Sequence, residues 1–223
     1  LLDSQFLFQE IIPALNQGLV VSLLLILPSA VLGLFLGISA ASLRVYGPSW
    51  VRWLAAAYIG AFRGTPLVVQ LFVLYFGLPN LGVYLTPYTA AVLGFSLCGG
   101  AYHAEYIRGG LQSIKKGQLQ AAQALGFAHW KAILHIILPQ AMRRALPGCG
   151  NELIYLIKYS SLAYIITCIE LTGQAKNLAS SSFRFTEVFI VAGVYYLVLV
   201  TLATLGLQKL ERQLQVPGFG RAG

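Results

Sequence analysis

The chain has 223 residues, 57% of them hydrophobic and only 10% charged, with a mean hydropathy of +0.73. Soluble domains carry about 25% charged residues, so a deficit of this size means that most of the surface faces lipid, which argues against a soluble enzyme. Fifteen Lys and Arg against seven Asp and Glu give +8, a balance that points either to nucleic acid or to membrane topology, depending on where the cations fall.

A membrane-crossing helix needs roughly 20 apolar residues. Residues 18–43 supply 26 without a charge and form the first expected span. No basic leader and cleavage site precede it, so it reads as a resident span rather than a removed signal. The second, 53–78, is apolar except around Arg63-Gly64-Thr65-Pro66, and the third covers 88–107. The fourth, 147–171, contains Glu152 and Lys158, and the fifth, 188–208, has no charge in 21 residues. The expected fold is therefore an all-α integral membrane protein with five transmembrane helices, a single transmembrane domain over 1–223.

Five spans put the termini on opposite sides. Arg44, Arg52, Arg108, Lys115, Lys116, Lys131, Arg143, Arg144, Lys209, Arg212 and Arg221 all fall on one side, and only Lys176 and Arg184 on the other. By the positive-inside rule the first side is cytoplasmic. The N-terminus, with Asp3 and Glu10, is expected outside. The basic balance is thus topological, and no nucleic-acid partner is expected. Ser29, Gly33, Gly37 and Ala41 on the first span, and Ala90, Gly94 and Cys98 on the third, repeat every four residues. Such small faces suit close helix packing, within the chain or with a second subunit.

Cys98, Cys149 and Cys168 form no CxxC, His103, His129 and His135 form no HExxH, and no paired carboxylates stand at catalytic spacing. The cysteines read as buried thiols, with no metal site and no catalytic residues expected.

Between the third and fourth spans, residues 108–148 form a polar but patterned loop. Residues 118–125 are rich in helix formers, Gly126 offers a turn, and 128–138 reads as a second helix stopped by Pro139. Leu119, Ala122, Leu125, Trp130, Ile133, Ile136 and Ile137 make apolar ridges that call for a covering partner. The run QAAQALGFAHWKAILHIILP resembles the EAA loop of ABC-transporter permeases, matching at Ala121, Ala122, Gly126, Ile136, Leu138 and Pro139 and departing at Gln120, where that family usually has Glu. RGTPLVVQLF, AEYIRGGLQSI and NELIYLIKYSSLAYII resemble its polar-amino-acid uptake subfamily (histidine, glutamine and arginine permeases).

The resemblance implies a type I ABC importer-like bundle in a bacterial inner membrane, crossed several times. It implies a permease subunit of an ATP-driven amino acid importer, with Gln120, Ala121, Ala122, Gly126, Phe127, Trp130 and Pro139 in the coupling loop. Its implied partners are nucleotide-binding ATPase subunits, a second permease subunit (identical or paralogous), and an extracytoplasmic amino-acid-binding protein, for which residues 172–186 are a candidate contact or else a plain solvated loop. The chain contains no GxxxxGK[ST], so it does not itself cradle ATP phosphates; no cofactor is expected on it, and ATP and Mg belong on the partner.

Arg63 and Lys158 stand about mid-span, where an ionised side chain costs on the order of 3 kcal/mol or more unless it finds a partner or a wet cavity. Two readings stay open. Either they and their neighbours Gly64, Thr65, Glu152, Ser160 and Ser161 form a niche for the substrate, with the helix interrupted at Gly64 and Pro66, or the cations pair with internal acids such as Glu152 or Glu105 and only orient helices. A self-sufficient channel or carrier for small anionic or zwitterionic solutes is the rival function.

Overall fold

Small residues dictate the centre of this protein. The computed structural model describes residues 4–214; Asp3 and Arg221, counted above for orientation, lie outside the described residues. Every regular element among the described residues is helical. In chain order these are α1 (Ser4–Tyr46), α2 (Ser49–Gly64), α3 (Leu67–Leu81), α4 (Pro87–Ser113), α5 (Lys116–Ala124), α6 (His129–Ile166), α7 (Leu171–Ser182) and α8 (Phe185–Leu214).

α1 and α4 lie parallel against each other. A Cβ added at Gly33 would meet the Ser96 carbonyl at 3.4 Å, and one at Gly37 would run into His103. From α4, a Cβ on Gly100 would come within 2.9 Å of Leu36 and 2.7 Å of the Tyr58 hydroxyl. Ser29, Gly33, Gly37 and Ala41 are all buried, so the expected small-residue face is used within the chain. The face Ala90, Gly94, Cys98 is buried too, and Gly94 receives Leu71 and Leu74 of α3.

Since α1 and α4 run the same way, the chain between them must return along the bundle, and α2 with α3 makes that return. They do so bent by 105° at Thr65-Pro66, where the sequence places an interruption at Gly64 and Pro66. Pro66 supplies no N–H, and it pushes Thr65 into extended backbone (φ −117°, ψ 144°). α6 then runs back and α8 forward again. Alone, α1 and α8 are long and apolar enough to cross a membrane, and α2–α3 and α6–α7 qualify as bent pairs. α4 has the length, at 27 residues. Its apolarity is diluted by the buried Gly, Ser and His that let it sit inside protein rather than lipid.

Two expected boundaries change. Pro139 does not stop a helix: the turn Ile133–Ile137 ahead of it widens to π geometry, and the helix continues from His129 to Ile166. A wider turn moves the preceding carbonyl away from the proline ring, which relieves the clash that ends an ordinary helix. The helix that carries the expected fourth span therefore begins well before Pro147. Residues 172–186, expected as a loop, lie mostly in α7, which buries Leu171, Gly173, Ala175 and Ala179. It packs at a 53° bend from α6 against the start of α1.

Pro28 interrupts the ladder of α1 without breaking it. The Leu24 carbonyl, which would have received the missing N–H, accepts the Tyr88 hydroxyl of α4 at 3.0 Å.

Gly100→Val forces side-chain volume between α1, α2 and α4, against the Tyr58 hydroxyl, the Leu36 Cβ and the Gly33 carbonyl. Overpacking of this kind costs about 1–3 kcal/mol, so the purified variant is expected to unfold at a lower temperature in detergent, whereas Gly109→Val, at a glycine with open space beside it, should unfold within a degree or two of the wild type by the same measure.

Candidate functional site

The break between α2 and α3 is held open by one side chain. Gln70, buried one turn after Pro66, donates its amide to the Phe62 carbonyl at 2.8 Å and to the Thr65 carbonyl and hydroxyl, each at 3.0 Å. These are the carbonyls that a helix terminus leaves without partners. Thr65 donates its hydroxyl to the Ala61 carbonyl at 2.8 Å. Gly64 and Thr65 remain exposed at the break.

Arg63, the last cation of α2, is not isolated. Its guanidinium lies 3.8 Å from Oε2 of Glu105 and 5.2 Å from the centre of the Tyr102 ring. Glu105 also holds Arg44 through Oε1 and Arg108 through Oε2, the latter at 2.6 Å. One carboxylate thus ties α1, α2 and α4 together.

Glu152 is buried on α6 and, among the described residues, has no hydrogen-bond or ion-pair partner. It lines a cavity of about 20 Å³ with Ser29, Cys98, His103 and Tyr159, space for one water. Ser29 Oγ and His103 Nδ1 are likewise buried without a partner among the described residues. The cavity that Glu152 lines also includes Leu67, the first residue of α3 after the break.

Lys158 occupies a different face, as its six-residue offset from Glu152 implies. Its Nζ sits 4.4 Å above the Tyr155 ring, which stacks on Tyr159 at 5.9 Å. Ser160 and Ser161 donate to the Ile157 and Lys158 carbonyls at 2.8 and 2.7 Å, so both hydroxyls close the end of the α-helical segment. The structure therefore places Arg63, Gly64 and Thr65 at the break, with Glu152 lining a cavity beside Leu67 just after it, and puts Lys158, Ser160 and Ser161 at and just past the end of the α-helical part of α6.

Residues 108–148 form a separate site at the basic end of the bundle. α5 ends in a Schellman turn: Gly126 has φ +86°, its N–H donates to the Gln123 carbonyl at 2.9 Å, and Phe127 N–H to the Ala122 carbonyl at 3.1 Å. Gln140 donates to Gln118 at 2.7 Å and Arg144 to the Ser113 carbonyl at 2.7 Å, fixing the loop to α4 and α6. The expected apolar ridges divide. Ala122, Ile133 and Ile137 turn inward and are buried, whereas Leu125, Phe127, Trp130 and Leu134 are exposed, Leu125 by 80%. Gln120, Ala121 and Pro139 are exposed as well.

Residues 33–216 match the family described as binding-protein-dependent transport system inner membrane component. The chain belongs to that family. It is 37% identical over 206 residues to the probable amino-acid ABC transporter permease YckA of Bacillus subtilis, covering 92% of this chain and 89% of that protein. It is 41% identical over 206 residues to the octopine permease OccM of Rhizobium radiobacter (88% and 84% covered), and 37% over 207 residues to the glutamine permease GlnP of Escherichia coli K12 (92% and 94%). Among solved structures, an amino acid ABC transporter crystallised with histidines superposes with a TM-score of 0.84 at 32% identity, over 96% of this chain and 100% of that one. The inward-facing methionine transporter MetNI shares the fold, with a TM-score of 0.78 at 17% identity and the same coverage. The protein is thus a membrane-embedded permease subunit of the ABC importer type, and ATP hydrolysis belongs to a partner subunit.

Sequence reasoning passed over two residues that shape this architecture. Gln70 carries a signal, an amide one turn after a Gly-Thr-Pro break. Glu170, fully buried, caps α7 by accepting the Thr172 and Gly173 amides at 2.9 and 3.0 Å and the Tyr196 hydroxyl at 3.0 Å. Its signal is an acid directly ahead of a Leu-Thr-Gly helix start.

Replacing Gln70 by Leu removes the donor and leaves the Phe62 and Thr65 carbonyls unpaired. The expected loss is about 1–3 kcal/mol, read as a lower unfolding temperature in detergent, with Gln70→Glu at least as damaging because a carboxylate cannot donate.

Proposed function

We propose that this chain is the permease subunit of a polar-amino-acid importer whose membrane domain, 1–223, crosses the membrane five times: by α1, by α2 and α3 together, by α4, by α6 and by α8. The alternating direction of these passages supports the count, and the excess of Lys and Arg at one end supports a cytoplasmic loop 108–148 and an outside N-terminus. A bacterial inner membrane is the expected location. ATP and Mg are held by nucleotide-binding subunits, a second permease subunit completes the pathway, and an external binding protein delivers the cargo. An amino acid as cargo follows the relatives' names and the charges at the break.

The observation that carries the coupling role is the knuckle at Gly126. Its inward face is already packed, its outward face is apolar and exposed, and its turn requires a positive φ. A helix pair of this kind, locked to α4 and α6, transmits a push from a docked ATPase into the bundle. Gln120, Ala121, Phe127, Trp130 and Leu134 would meet that subunit. No atom lies within 4 Å of a Cβ added at Gly126, so substitution there acts through the backbone alone. Gly126→Val strains the αL turn by about 1–2 kcal/mol; the complex is expected to assemble, with ATPase activity no longer stimulated by cargo-loaded binding protein. Stimulation equal to wild type would remove the role assigned to the turn.

At the break, Arg63 is positioned for the amino acid's carboxylate and Glu152 for its ammonium group, with Gly64 and Thr65 exposing backbone beside them and Lys158, Ser160 and Ser161 further along the route. Broken helices present polar groups to substrates in this way in other transporters. Arg63→Ala is expected to lower uptake into vesicles on the order of 10-fold or more, the loss that follows when a hydrogen bond to a charged group is removed, while the subunits still copurify. Lys158→Ala should also impair uptake, and unchanged transport in both would sink the niche.

A further inference from the structure

Three arginines share Glu105, and they share it unequally. Arg44 has Oε1. Arg108 takes Oε2 with a 2.6 Å bond from Nη2 and a 3.1 Å bond from Nε, whose hydrogen also reaches Oε1 at 3.2 Å, and it follows Glu105 by one helical turn, so its hold is local and spans both oxygens. Arg63 reaches that same Oε2 from another helix, at 3.8 Å, beyond hydrogen-bonding distance. It is also the most exposed of the three, with 41% of its side chain accessible against 31% for Arg44 and 29% for Arg108. The cluster carries three positive charges on one carboxylate, and the nearby acid Glu152 makes no ion pair among the described residues. A second carboxylate entering here meets an unsatisfied field and, in Arg63, a guanidinium with donors to spare.

We propose that Glu105 is a positioning residue that holds Arg63 in waiting and yields it to the carboxylate of the passing amino acid. This rests on the niche reading for Arg63. Glu105 itself does not touch the cargo. It keeps the guanidinium beside Tyr102, stops it from swinging into lipid, and sets by the weakness of its grip how readily Arg63 changes partner. The exchange involves no bond making beyond hydrogen bonds and no proton transfer: Arg63 leaves one carboxylate for another, while Arg44 and Arg108 stay on Glu105 and keep that acid from being left unpaired. Selection follows from the same arithmetic, because a neutral solute brings nothing to displace Glu105.

The arrangement makes two substitutions act in opposite directions. Glu105→Gln releases Arg63 and should tighten the binding of a free amino acid. Arg108→Gln empties Oε2, lets Arg63 close on it, and should weaken that binding. A purely structural role for the cluster makes both variants weaker or leaves both unchanged.

The test measures equilibrium binding of radiolabelled L-glutamine and L-arginine to the permease–ATPase complex in lipid nanodiscs without binding protein, with L-glutaminamide and L-argininamide as competitors lacking the carboxylate. The expected shifts are about 2- to 5-fold tighter for Glu105→Gln and about 2- to 5-fold weaker for Arg108→Gln, the upper part of the span of a partly exposed ion pair, with the amides unmoved by either. Should Glu105→Gln fail to assemble, the sign for Arg108→Gln decides. If Arg63→Gln abolishes the preference for acid over amide but neither variant moves binding, or both weaken it, the exchange is overturned and the niche stands. If the wild type binds acid and amide equally and Arg63→Gln changes nothing, the niche itself fails and the exchange fails with it.

Discussion

The bundle depends on the close approach of α1 and α4. In lipid, apolar surface gives no drive to associate, so two helices stay together only when their backbones come near enough for dispersion and weak polar contacts to add up. Gly33 and Gly37 on one side and Gly100 on the other permit that approach. Its consequences run outward. Two parallel helices this close demand a return segment between them, and α2 with α3 provides it from the side, through Tyr58 donating to the Leu97 carbonyl at 2.7 Å and Leu71 seated on Gly94. α6 then closes over α4, where Gly110 and Gly148 admit the α6 backbone and the Tyr106 ring respectively.

Helices packed on glycine have few polar side chains to spare, yet this one contains several interruptions, and each interruption has its own donor. Tyr88 serves the carbonyl orphaned by Pro28. Gln70 serves the two left by the Thr65-Pro66 break. Glu170 serves the opposite need, two free amides at the start of α7, and reaches α1 as well, where Ser22 donates to it at 3.4 Å and accepts from the Leu171 amide at 3.1 Å. An unserved polar group in a lipid environment costs several kcal/mol, so these four residues are what make the bends tolerable.

Hydropathy was sufficient to find α1 and α8 because lipid-facing helices must be apolar along their length. It was a poorer guide to α4, whose surroundings are protein, and to the geometry of α2–α3, where composition shows that a break exists but not how sharply the chain turns. Gly126 was legible, since only a residue tolerant of positive φ can end α5 and let α6 begin three residues later. Pro139 was misleading. A proline normally ends a helix, and the widened turn that lets this one pass arises from tertiary packing of Ile133 and Ile137, both buried, without a local sequence signature. At the break, Arg63 and Glu152 stood out as ionisable groups in apolar runs; that Arg63 shares Glu105 with Arg44 and Arg108 could not be read from residues 19 to 64 positions apart, because it depends on three helices converging.

The charges therefore separate into two kinds with different physics. Cations at the basic end that make no ion pair act collectively and from a distance, fixing which way the chain sits in a membrane. Arg63 acts individually. It lies against an acid already occupied by two others, so its interaction is weak for a reason that can be named, and weakness is what a transport pathway requires. A site that bound a carboxylate as firmly as Glu105 binds Arg108 would hold its cargo, whereas one with no cation would not select it. Placing a third arginine on a shared carboxylate gives an intermediate strength, and because Arg63 ends α2 at the helix break, a change of partner there is mechanically connected to the most sharply bent part of the fold.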